Sequence, residues 1–88
     1  MTKSEAKSIY DNLNKQWSDY ESYVQAKKDV DFNTKQVALA RQSDPNKVAY
    51  WQSELAAATA KLQSKGTPKK VTYEQVVAAR RIFQGMQE

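Results

Sequence analysis

Two runs of apolar residues, spaced alternately by four and three, dominate this sequence. Ala6, Tyr10, Leu13, Trp17, Tyr20 and Val24 form one, and Val48, Trp51, Leu55, Ala58 and Leu62 the other. That spacing collects all members of a run on one stripe of an α-helix, whereas a half-buried strand requires strict alternation. No segment shows sustained alternation, so the chain reads as all-α throughout.

The helix limits follow from the punctuation. Thr2 and Glu5 stand in the relation of a capping box, where each side chain satisfies the other's backbone N–H. The first helix is expected over 3–29, with Ile9 and Tyr23 widening its apolar stripe. Asn33 and Gln36 form a second possible box, and Phe32 with Val37 a hydrophobic staple. They predict a break at 30–33 and a short helix over 34–42. One continuous helix over 3–42 is the alternative, since no residue there forbids it. Asp44-Pro45 then starts a helix over 45–65, because proline costs nothing at the first helical position. Gly66 supplies the left-handed residue that ends it, and Pro68 prevents continuation. Thr72 with Gln75, and Val71 with Val76, mark the start of a last helix over 73–86. Val76, Ala79, Phe83 and Met86 are its expected buried side.

These elements predict a small helical bundle of three to four helices, built on an antiparallel helical hairpin with the last helix packed across it. At 88 residues the chain is expected to be a single domain. A core of that size has little to spare, and without cysteine no disulfide can reinforce it. No apolar run approaches the roughly 20 residues of a membrane span. Residues 1–6 lack the apolar stretch of a signal peptide. A soluble protein of the cytoplasm is the expectation.

The residue types absent from the chain exclude much chemistry. With neither histidine nor cysteine, the common nucleophile–base pairs and most zinc or copper sites have no members. Gly66-Thr67-Pro68-Lys69-Lys70 lacks the spacing of a phosphate loop, and the acids are dispersed. Asp29-Val30-Asp31-Phe32-Asn33 matches the opening of a calcium loop. The glycine and glutamate that such a loop then requires are replaced by Thr34 and Ala40. The chain is therefore expected to be no enzyme and to need no cofactor or metal.

Two features remain as candidate binding surfaces. The first is aromatic: Tyr10, Trp17, Tyr20 and Tyr23 on the first helix, with Tyr50 and Trp51 near the start of the next long one. Such stripes usually fill cores, but tyrosine and tryptophan also suit wet interfaces, where the ring packs and the polar tip stays hydrated. The second is charge. Residues 1–60 carry equal numbers of acids and bases, whereas Lys61, Lys65, Lys69, Lys70, Arg80 and Arg81 face Glu74 alone over 61–81. This stretch serves either solubility or contact with nucleic-acid phosphates. The leading expectation is a protein-interaction module, whether assembly component, adaptor or occluding inhibitor, that binds a protein partner or a second copy of itself. The alternative is sequence-independent nucleic-acid binding through the basic stretch. Neither membrane nor small-molecule substrate is expected.

Overall fold

The computed structural model describes residues 1–86. They form three α-helices: α1 over Lys3–Ser43, α2 over Val48–Lys65 and α3 over Tyr73–Gly85. A single 3-10 turn, Pro45–Lys47, leads into α2. Among the described residues there is no strand.

The break expected at 30–33 does not form, and the separate helices expected over 3–29 and 34–42 are one. Asn33, the expected cap, bonds backwards instead, as does its neighbour Thr34. Asn33 Nδ2 donates to the carbonyl of Asp29 at 2.9 Å, and Thr34 Oγ1 to that of Val30 at 2.8 Å. A short polar side chain within a helix can satisfy itself one turn back, so its capping potential goes unused. The calcium-like run thereby lies inside a helix, where Asp29 also accepts from Gln25 Nε2 at 3.1 Å.

Both other capping boxes form. Glu5 N–H donates to Thr2 Oγ1 at 3.1 Å and Thr2 N–H to Glu5 Oε1 at 3.3 Å. At α3, Gln75 N–H donates to Thr72 Oγ1 at 3.3 Å and Thr72 N–H to Gln75 Oε1 at 2.8 Å. Asp44 behaves differently: its side chain caps nothing, and its carbonyl accepts from Lys47 N–H at 3.0 Å to close the 3-10 turn. Gly66 ends α2 with φ +63°, a conformation that a Cβ would strain.

The chain groups into two compact units. The terminal unit joins Met1–Glu21 to the chain from Pro68 onward, and the central unit is Ser22–Thr67. In the terminal unit, α3 lies antiparallel to the first half of α1, since Tyr10 meets Phe83 and Trp17 meets Tyr73. Its buried residues are Ala6, Val71, Val76 and Ala79. In the central unit the buried residues are Ala26, Val37 and Ala40, all from α1, while α2 contributes none. Every one of these is alanine or valine. The larger seam residues Leu13, Trp17, Val48, Trp51, Leu55 and Leu62 are only half-buried.

The covered positions of α1 include Ala6, Tyr10, Leu13, Trp17 and Tyr20 in the terminal unit, and Tyr23, Val24, Ala26, Val30, Asn33, Val37 and Ala40 in the central one.

Candidate interaction surfaces

The six aromatic residues singled out in the sequence fall into both units. Tyr10, Trp17 and Tyr20 belong to the terminal unit, and Tyr23, Tyr50 and Trp51 to the central one. Tyr10 stacks on Phe83 with centroids 6.3 Å apart and planes 7° from parallel, and Lys3 Nζ lies 5.8 Å from the Phe83 centroid. Trp17 meets Tyr73 at 5.3 Å with a 50° tilt. Tyr10, Trp17 and Phe83 are half-buried, so this part of the stripe works as packing between α1 and α3.

Around Trp51 the arrangement differs. Its ring meets Phe32 edge-on at 6.1 Å and Tyr50 edge-on at 4.9 Å. Trp51 is half-buried, but Tyr50 is 57% exposed and Phe32 is 54% exposed. Trp51 also lines a groove of about 240 Å³ with Leu39 and Ala40, and Leu39 is itself 54% exposed. A second groove, about 370 Å³, is lined by Phe32, Trp51, Ala57 and Ala58, with Asp29, Glu54 and Lys61 beside them. Three large apolar side chains thus gather in water around one tryptophan.

Phe32 and Leu39 were not among the residues singled out in the sequence. Phe32 reads there as half of a hydrophobic staple, a role that vanishes once α1 continues through it. Leu39 stands one residue off a covered stripe too rich in alanine to be read from the sequence.

The terminal unit has an apolar groove of its own, about 320 Å³, floored by Ala6, Leu13 and Ala79 and edged by the exposed Met1, Ile9 and Ile82.

The basic residues are distributed over both units. Lys61 and Lys65 lie in the central unit, and Lys69, Lys70, Arg80 and Arg81 in the terminal one. All are exposed except Lys65, which is half-buried in the last turn of α2, where a cation suits the helix dipole. None of the six forms an ion pair with another described residue. Lys7–Asp11 at 3.1 Å and Asp44–Lys47 at 3.9 Å are exposed local pairs within the acid–base-balanced part of the chain. Among the described residues, no three acids, histidines or cysteines are placed to hold a metal ion. No helix among them is long and apolar enough to cross a membrane.

Comparison with protein-family models, with curated proteins and with solved structures yields no match to this chain.

Proposed function

We propose that this chain is a small, non-enzymatic, helical protein-interaction module, acting as an assembly component, adaptor or occluding inhibitor. The observation that carries the reading is the exposure of Phe32, Leu39 and Tyr50 around Trp51. Isolated exposed apolar residues are ordinary, but a contiguous group centred on aromatic rings is what protein interfaces use. The same reading makes the central unit an antiparallel helical hairpin. Support comes from the grooves: the later residues of α1 share one with the start of α2, and the earlier residues share the other with later turns.

Binding then works by surface complementarity. A partner covers the Phe32–Leu39–Tyr50 group, and Trp51, packed from beneath, serves as the rigid anchor. The basic residues supply solubility and a weak positive field.

The test sets this reading against nucleic-acid binding. Labelled DNA and RNA are titrated with the protein at low and at physiological salt, followed by fluorescence anisotropy. Cross-linking in a cell extract is run in parallel with the natural chain and a Phe32→Ser/Tyr50→Ser variant. The expected result is no salt-sensitive nucleic-acid complex and protein cross-links that disappear in the variant. Micromolar binding that falls steeply with salt, and is lost on charge reversal at Lys69, Lys70, Arg80 and Arg81, would overturn it.

A further inference from the structure

We infer that the partner of the central unit's aromatic face is a second copy of this chain, docked with the two α2 helices antiparallel. The inference rests on the proposed function, which makes that face a binding surface, and it names the occupant.

Three observations converge on a second copy. The first is the exposed apolar group itself: Phe32, Leu39 and Tyr50 are each more than half exposed around the half-buried Trp51.

The second is the core. Ala26, Val37 and Ala40 are all that the central unit buries, and no residue of α2 is buried. Small domains make up such a deficit with disulfides, metals or association. The chain has no cysteine, and among the described residues no three acids stand together to hold a metal ion. Association is the remaining device. Covering Phe32, Leu39 and Tyr50 would also complete the burial of Trp51.

The third is charge. Glu54 is the only acid of α2 and lies in its first half, whereas Lys61 and Lys65 are its only bases and lie in its last turns. Glu54 and Lys61 both line the groove that holds Phe32 and Trp51, so they sit on the rim of the proposed contact. An antiparallel second copy places Glu54 against the partner's Lys61, and symmetry repeats the pair. A parallel arrangement would set lysine on lysine. Charges of this kind select orientation and register more than they add affinity. Lys61 thereby belongs to a protein contact and not to a phosphate-binding face.

Sedimentation equilibrium of the full chain from micromolar to millimolar concentration tests this, with helicity followed by circular dichroism. The natural chain is expected to form a dimer. Phe32→Ser/Tyr50→Ser should raise its dissociation constant by about tenfold or more with helicity retained. Glu54→Lys should weaken the dimer at low salt, and adding Lys61→Glu on the same chain should restore it. A natural chain that stays monomeric throughout overturns the inference, as does a dimer indifferent to both sets of substitutions. A monomer that still forms Phe32- and Tyr50-dependent cross-links to another protein would remove the second copy while leaving the interaction module standing. Loss of both would remove both.

Discussion

In the terminal unit, Tyr10 and Trp17 meet Phe83 and Tyr73 on α3, and only Tyr73 of those four rings is exposed. In the central unit, Trp51 meets Phe32 and Tyr50, and two of those three rings are exposed. Both capping boxes belong to the terminal unit, whereas α2 starts from Lys47 with no side-chain cap. The rings on the heptad stripes, Tyr10, Trp17 and Trp51, are half-buried against a facing ring, whereas Phe32 and Tyr50 lie off the stripes and stay exposed. The terminal unit consumes its aromatic surface internally. The central unit leaves a surplus, and that surplus is where binding is assigned.

Substitutions that probe the packed side should cost most. Val71, 2% exposed, lies beside the α3 cap, so Val71→Asp would bury an unpaired carboxylate. We expect a loss of about 3 kcal/mol or more, read as a lowered urea midpoint with reduced helicity. Trp17→Ala should cost about 2 kcal/mol, at or below the usual range for a buried aromatic because the ring is only half-buried. Tyr50→Ser, by contrast, should change the stability of the isolated chain by less than about 0.5 kcal/mol, at concentrations too low for association. Equal costs for Trp17→Ala and Tyr50→Ser would erase the distinction between the units.

Substitutions at the helix ends sharpen the same comparison. Thr72→Ala removes a formed capping box and should cost about 1 kcal/mol. Asp44→Ala removes a side chain that caps nothing and should stay within about 0.5 kcal/mol in the same denaturation experiment. An Asp44 effect as large as that of Thr72 would show the start of α2 to be capped like α3.

Much of the local structure was legible because it depends on residues three or four apart. The Thr2–Glu5 and Thr72–Gln75 boxes and the positive φ of Gly66 follow from side-chain chemistry that the chain carries on its own. The second half of α1 was harder to read. Its covered stripe includes Ala26, Asn33 and Ala40, too small or too polar to signal a seam. Asn33 can either cap a helix or bond backwards within one. The choice depends on whether the flanking turns are helical, which no local pattern states. The candidate surface was half legible. Tyr50 and Trp51 stood out as aromatic residues, but Phe32 and Leu39 join them only through the fold of α1 against α2. The basic stretch, contiguous in sequence, has members in both units.

The most direct measurement is hydroxyl-radical footprinting by mass spectrometry, comparing the natural chain at low and at high concentration. Phe32, Leu39 and Tyr50 should lose reactivity as concentration rises, while Met1, Ile9 and Ile82 on the terminal unit's groove keep theirs. Unchanged reactivity at Phe32 and Tyr50, or protection confined to the terminal unit, would contradict the assignment of binding to the central unit's aromatic face.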